Sequence, residues 1–391
     1  MNLPLPLDPT AVGVYLHVPF CASLCGYCDF YRIESQAGVP EGFEDLLLAE
    51  ARLYAQEDPL RADTVFFGGG TPSLLAPERL ARLLGGLGEV FRWAPGAEVT
   101  LEANPETVTS EKLAGWKAAG VTRLSVGVQS LSPGVLSSLE RRATAEVSLR
   151  ALQLAGEAGF EHLSADCMSA VPGQTPADLR DTLETLVALK VDHLSVYSLD
   201  LHRKTRLWAS VMRGEKTLPD DEEAADLYLW IHDHLVRAGF EHYEVSNFAR
   251  PGGRCLHNLK YWQGGQTIGL GPSAWSRFRG KLYGNPRNLE TWSDAVKKGR
   301  PAVDRSEDLT PGRELEDRVI FGLRVKEGIA VAHVRGLLEQ DGRDPEKSLR
   351  PLFEHGYAEL DGDRLRLTAL GFLVSNEVLT YLLPGKWPKR P

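Results

Sequence analysis

No stretch of this 391-residue chain approaches the roughly 18–20 consecutive apolar residues that span a bilayer. That lack argues against a membrane-spanning helix and leaves room only for transient association with a membrane. The opening run MNLPLPLDPT lacks the basic patch and apolar core of a secretory leader, so a cytoplasmic location is expected. Cysteine is scarce: there are five, an odd number, and three fall between positions 21 and 28. A disulfide framework is therefore not expected. Basic residues are outnumbered, with a net charge of −9, which argues against wrapping nucleic acid. No internal repeat or low-complexity tract stands out. What remains is ordinary globular composition, 43% hydrophobic and 25% charged, in a chain long enough for one large domain and a smaller one.

Over roughly the first 240 residues, short apolar runs alternate with amphipathic ones. The pattern predicts strands over 12–18, 64–67, 98–103, 123–128, 162–167 and 193–199, and a short one near 242–245. Between them it predicts helices over 43–54, 77–91, 111–119, 147–158, 177–189 and 224–238. Repeated strand–helix units imply a parallel sheet covered by helices. The fold class expected is α/β, a partial (β/α)6 barrel with its chemistry at the C-terminal ends of the strands. After Asn247-Phe248-Ala249-Arg250-Pro251-Gly252-Gly253 the pattern changes to a Gly-, aromatic- and polar-rich stretch reaching about residue 300. Helices over 314–324, 331–339 and 349–355 follow, then a hairpin over 358–360 and 364–367. We place the barrel over 1–248 and a smaller α+β domain over 249–391, whose part from about 311 resembles a winged helix. Such modules often bind DNA, but in an acidic chain without a basic stripe a packing or lid role is expected.

The richest signal is the run His17-Val18-Pro19-Phe20-Cys21-Ala22-Ser23-Leu24-Cys25-Gly26-Tyr27-Cys28. Its C-x3-C-x2-C spacing aims Cys21, Cys25 and Cys28 at one point. Three thiolates satisfy three irons of a cubane whose full protein ligation is four Cys, leaving one iron open. A zinc site is the competing reading, but zinc favours paired C-x2-C knuckles and a fourth ligand. Gly68-Gly69-Gly70-Thr71-Pro72 follows a predicted strand, where glycine lets backbone N–H groups approach a ligand. This combination resembles the radical S-adenosylmethionine (SAM) superfamily. There the amino and carboxylate groups of SAM take the open iron, and the glycine segment meets the SAM amino group. Glu102, Gln129 and Asp166 end or lie in further strands, and Arg141 follows a helix. At one barrel rim, such carboxylates can hold a ribose or an ammonium, and the Arg a carboxylate.

The segments HVPFCASLCGYCDFY, FFGGGTPS, LEANPE, SVGVQS, VPGQT, YEVSNFARPG, HNLKYW and GLGPSAWS resemble oxygen-independent coproporphyrinogen III dehydrogenases and the HemW-type haem chaperones. In the dehydrogenases the residues matching Tyr15, Tyr27, Gly69, Gly70, Thr71, Glu102, Gln129, Arg141 and Asp166 contact SAM. Two absences favour the HemW branch. The fourth Cys of the dehydrogenases is Phe30 here, and Cys21 comes almost at once where they carry a longer N-terminal extension. The run His257-Asn258-Leu259-Lys260-Tyr261-Trp262 matches the HemW hallmark HNxxYW, associated with haem. His257 is the first candidate for a haem axial ligand, with Cys255 and His17 as rivals. Alternatively, His257, Asn258, Tyr261 and Trp262 fix the domain junction through hydrogen bonds and aromatic packing. The chain also departs from the family. Glu140-Arg141-Arg142-Ala143 stands for the usual GRxH, and Asp166-Cys167-Met168-Ser169-Ala170-Val171-Pro172 for the usual DLIYGLP. The common Glu of the sixth-strand loop is replaced near Asp200–His202.

The resemblance implies a [4Fe–4S] cluster, SAM and haem as cofactors. It implies a carrier that passes haem to acceptor proteins of respiratory chains and binds no nucleic acid. A radical SAM enzyme oxidising coproporphyrinogen III is the alternative, and Phe30 speaks against it.

Overall fold

The computed structural model describes residues 8, 10–55, 58–189 and 191–383. Most of the opening run read above for targeting lies outside them. Strand β1 (Val12–Val18) starts the central sheet, and the two short strands β2 (Phe20–Cys21) and β3 (Ile33–Glu34) bracket the cysteine loop. The sheet continues through β4 (Leu60–Gly69), β5 (Phe91–Ala103), β6 (Arg123–Gln129), β7 (His162–Ser169) and β8 (His193–Ser198). With β1 these make six strands paired in parallel in chain order. Helices Phe43–Arg52, Pro77–Val90, Ser110–Ala118, Ala145–Ala158 and Pro176–Ala188 alternate with the strands, as the periodicity predicts. β1 and β6 are buried almost end to end although their sequences alternate, Val12, Val14, Leu16 and Val18 with Gly13, Tyr15 and His17, and Leu124, Val126 and Val128 with Arg123, Ser125 and Gly127. Between the barrel strands, the short helices Pro133–Ser138 and Arg206–Met212 carry too little pattern to have been read.

The central sheet does not end at residue 248. β9 (Glu241–Glu244) and β10 (Asn247–Ala249) add antiparallel beyond β8, so the expected boundary falls inside a strand. β11 (Thr267–Leu270) then returns to the opposite edge and pairs in parallel with β1. β12 (Trp275–Phe278), β13 (Lys281–Gly284) and β14 (Arg305–Asp308) extend that edge antiparallel. These strands are only three or four residues long, too short for alternation to register. The hydrophobic cores divide further along: the main one reaches Ala302 and the second starts at Val319.

The second core belongs to the C-terminal module. Helix Pro311–Gly322 leads to β15 (Ile329–Ala330), then helices Val331–Gln340 and Pro345–Glu354, then β16 (Ala358–Asp361) and β17 (Arg364–Leu367). The three strands form one antiparallel sheet in the order β15-β17-β16, the winged-helix arrangement expected from about 311. Two short helices, Ala369–Leu373 and Ser375–Leu382, close it. The module is fastened to the barrel edge. Phe372 packs edge-on to His242 with ring centres 5.2 Å apart, and Lys326 N–H donates to the Tyr243 carbonyl at 2.9 Å. Arg254 pairs with Glu327 at 2.6 Å.

Candidate functional site

The cysteine loop leaves the sheet at Pro19 and is closed at its neck by β2 pairing in parallel with β3. Cys21 is buried, while Cys25 and Cys28 are half-buried, and all three are free thiols. Arg32 gathers the loop by donating to the carbonyl of Cys25 at 2.9 Å and to that of Cys28. Burial pushes the Cys21 and Cys28 thiols up, so without a metal they hold their protons. Among the described residues no three His, Cys, Asp or Glu side chains converge closely enough to grip a single ion. In a cubane each thiolate binds a different iron. The donor set fits that group, because three thiols share one loop and the other two lie apart, Cys167 inside β7 and Cys255 at the opposite end of the barrel.

The glycine triplet at the end of β4 lies directly under this loop. Gly70 N–H donates to the Val18 carbonyl and Thr71 N–H to that of Phe20, both at 2.8 Å. A side chain at Gly70 would start 2.6 Å from the Pro19 carbonyl carbon, so only glycine permits this approach. Gly69 has φ +110° and donates its N–H to Glu102 at 3.2 Å. Asn104, two residues beyond Glu102, donates to the Thr71 hydroxyl at 3.1 Å. Asp166 on β7 accepts from the Ser125 hydroxyl at 3.1 Å.

Arg141 crosses the rim. Its guanidinium donates to the Gly127 carbonyl at 2.6 Å and to Asn104 Oδ1 at 3.3 Å, and stands 3.5 Å from Cys25 Sγ. Its buried Nε has no hydrogen-bond partner among the described residues. Gln129 ends β6 in a left-handed conformation, φ 68°, after a break in register with β7. That bulge turns its amide back over Gly127, where a side chain would start 3.1 Å from Gln129 Nε2 and 3.5 Å from Arg141 Nη2. Tyr27 packs against Val135, Leu139, Met168 and Val171. Tyr15 lies lower, its hydroxyl 3.0 Å from His17 Nδ1, and burial followed by the Glu102 charge pushes its phenol up. Of the nine residues singled out for SAM, Gly69, Gly70, Thr71, Glu102, Gln129 and Arg141 lie along these contacts and Tyr27 packs beside them, while Tyr15 and Asp166 sit deeper, Tyr15 with its ring 6.4 Å from His257 and Asp166 lining the barrel interior. Arg32 and Asn104 are additions; Asn104 is signalled by its place in LEANPE, and Arg32 by nothing in the spacing.

Burial, reinforced by the neighbouring Asp166 charge, pushes Glu102 up to about 8, and burial pushes Glu50 and Glu244 up to about 7. In the unfolded chain these carboxyls titrate near 4.5. The folded chain therefore holds more protons than the unfolded chain between those limits, and stability is lost as pH rises through them. The buried His17, His242 and His257 act oppositely, but only below their ordinary value of 6.5. The cluster-free protein is expected to lose stability to urea between about pH 6.5 and pH 8. A rise in unfolding free energy over that interval would contradict the assignment.

The HNLKYW run forms helix Leu256–Trp262, and it closes the other end of the barrel. Glu98 on β5 accepts the N–H groups of Leu256 at 3.2 Å and His257 at 3.0 Å. Arg123, the first residue of β6, is paired to the same carboxylate at 3.0 Å, with both partners buried. Lys260 is buried as well and reaches Asp63 at 2.7 Å and the Ala11 carbonyl at 3.0 Å. His257 is 1% exposed and both ring nitrogens are engaged: Nδ1 with Thr64 Oγ1 at 2.8 Å, Nε2 with the Tyr261 hydroxyl at 3.2 Å. Its ring stacks on Phe66 at 5.2 Å. Cys255 donates toward Glu98 at 3.5 Å, and His17 Nε2 meets the Tyr31 carbonyl at 2.9 Å. None of the three axial candidates presents a free donor atom in this conformation. Trp262 turns to the C-terminal module, 6.3 Å from Phe321. Asn258 borders a small polar cavity that runs up the barrel interior past Thr100 and His193 to Glu102 and Asp166.

Comparison with known proteins agrees with this architecture. Residues 15–186 match the Radical SAM superfamily, and residues 309–374 match the HemN C-terminal domain. The chain is similar to a protein of Mycobacterium tuberculosis named heme chaperone HemW, 38% identical over 97% of this chain and 96% of the relative. The HemW protein of Bacillus subtilis is 34% identical over 94% and 97%. Mouse radical S-adenosyl methionine domain-containing protein 1, a mitochondrial protein, is 36% identical over 98% and 90%. Among solved structures, coproporphyrinogen III oxidase (HemN) of Escherichia coli, a radical SAM enzyme, superposes with a TM-score of 0.80 at 25% identity, covering 96% and 91% of the two chains. On its cysteine loop, its six-stranded parallel barrel and these full-length relatives, the chain belongs to the HemW family of the radical SAM superfamily.

Proposed function

We propose that the protein is a haem chaperone, binding haem and passing it to haem-accepting proteins of respiratory chains. Cys21, Cys25 and Cys28 hold a [4Fe–4S] cluster whose fourth iron takes SAM. Gly69, Gly70 and Thr71 meet the methionine end of SAM, Arg141 its carboxylate, and Tyr15, Tyr27, Glu102, Gln129 and Asp166 line the rest of its cradle. Reductive cleavage of SAM belongs to the alternative, enzymatic reading, in which the bound cluster would supply one electron. The observation that carries the chaperone reading is one barrel holding the three-thiol loop at one end and the HNLKYW helix at the other, in a chain that matches HemW proteins over nearly its full length. No helix among the described residues is long and apolar enough to cross a membrane. The winged-helix module has a packing or lid role, supported by its contacts to the barrel edge through Phe372, Lys326 and Glu327.

The likeness to HemN favours one second reading, an enzyme oxidising coproporphyrinogen III. Phe30 opposes it, standing 65% exposed where that branch carries another cysteine. One anaerobically reconstituted sample assayed for haem binding, SAM cleavage and coproporphyrinogen oxidation separates the two. Conversion of coproporphyrinogen III with SAM consumption and no haem binding would end the chaperone reading.

His257 gives a sharper test. Ligating iron through Nε2 requires breaking its bond to the Tyr261 hydroxyl. If it is the ligand, Tyr261→Phe should tighten haem binding by about threefold to tenfold, the worth of one neutral hydrogen bond. His257→Ala should weaken it. Haem titrations that move neither way would transfer the ligand role to Cys255, His17 or another residue.

A further inference from the structure

Glu140 has a left-handed backbone, φ 56°, a conformation in which a residue with a side chain is uncommon and a glycine is at ease. The glutamate is used. Its carboxylate lies flat against the cysteine loop, where a side chain on Gly26 would start 2.6 Å from Glu140 Oε1. Arg206, the first residue of helix Arg206–Met212, grips Glu140 Oε2 with Nε at 2.7 Å and Nη2 at 2.6 Å. The same Nη2 donates to the Leu24 carbonyl at 2.6 Å. Backbone bonds complete the contact: Gly26 N–H to the Leu139 carbonyl at 3.3 Å, and Leu207 N–H to the Gly26 carbonyl at 2.9 Å. Residues 24 and 26, on either side of Cys25, are thus fixed from two segments more than a hundred positions away. The next residue, Arg141, points the other way and stands 3.5 Å from Cys25 Sγ.

We propose that Glu140 and Arg206 form a clamp that positions Cys25 for the cluster, with Arg141 approaching the thiol from the opposite side. The proposal rests on the reading of Cys21, Cys25 and Cys28 as cluster ligands. Both side chains are partly exposed, 37% and 56%, so their pairing contributes little to global stability. A strained backbone kept for so small a return indicates a local duty, and among the described residues the pair holds the loop around Cys25. Both residues are positioning residues: neither reaches the thiol itself.

The test uses full-length protein, reconstituted anaerobically, with Glu140→Gln, Glu140→Gly, Arg206→Gln and Arg206→Lys. Three quantities are read: iron release to a chelator, the thermal midpoint of the cluster-free protein, and hydrogen exchange of the Gly26 and Leu207 amides without cluster. Glu140→Gln and Arg206→Gln should release iron about threefold to tenfold faster, the range spanned by a partly exposed pair with charged hydrogen bonds. Glu140→Gly should do the same while its thermal midpoint holds or rises, because glycine removes the backbone strain. Arg206→Lys, which keeps the charge and a donor, should recover part of the loss. Faster exchange at Gly26 and Leu207 in Arg206→Gln reports the clamp independently of the cluster. Iron release and amide exchange at the wild-type rate in all four variants would overturn the clamp. Wild-type protein that assembles no cluster would instead overturn the cluster reading, and the exchange data would still decide whether the loop is clamped.

Discussion

Alanine at any one of Cys21, Cys25 or Cys28 is expected to strip most of the iron and the brown colour from anaerobically reconstituted protein. A cubane anchored by three thiolates has no spare ligand, so one loss leaves two irons without protein support. The structure offers no substitute, since Cys167 is buried in β7 and Cys255 is held by Glu98 at the far end of the barrel. Cys167→Ala and Cys255→Ala should therefore keep their iron. Because burial holds the Cys21 and Cys28 thiols protonated, assembly must displace those protons, and iron uptake should rise with pH. A triple variant that still retained about four irons per chain would refute the ligand assignment.

The largest stability effect is expected at Glu98. Its carboxylate joins the Arg123 guanidinium to the N-terminal end of helix Leu256–Trp262, and Arg123 also donates to the Arg254 carbonyl at 2.9 Å. Both charges are buried, 1% and 5% exposed. Glu98→Ala would leave a buried guanidinium without its counter-charge and two backbone N–H groups without an acceptor. A loss of about 3–5 kcal/mol is expected for breaking such a pair. Removing both charges, as Glu98→Leu with Arg123→Leu, should cost less than the single change, because it removes the desolvated charge together with its partner. Urea unfolding of these two variants beside the wild type measures this. A single-variant loss below about 1 kcal/mol, the range of exposed pairs, would mean that water reaches the site.

Much of the chemistry is legible along the chain because it is local. Three thiols within eight positions, a glycine triplet ending a strand, and strands long enough to show a run all leave their mark in consecutive residues. The barrel strands and the winged-helix order follow from the same local patterns. What the linear pattern does not carry is which distant segments share a surface. Strands of three or four residues such as β10 and β11 have too few positions to show periodicity, and only pairing with β8 and β1 makes them part of the sheet. That pairing moves the end of the barrel core from 248 to beyond 300.

The HNLKYW run shows the division most plainly. Its composition announces a special segment, but polar and aromatic side chains serve a ligand or a packed junction equally well. Only the tertiary structure places it at the barrel end opposite the cysteine loop, with Glu98 at its N-terminus and both nitrogens of His257 occupied. The clamp at Glu140 is likewise invisible in sequence, since its meaning depends on a left-handed turn meeting a glycine and an arginine brought from elsewhere. Sequence determined the residue types that can ligate, titrate and turn. The fold decided which of them face one another, because burial and hydrogen-bond satisfaction are settled between segments rather than within them.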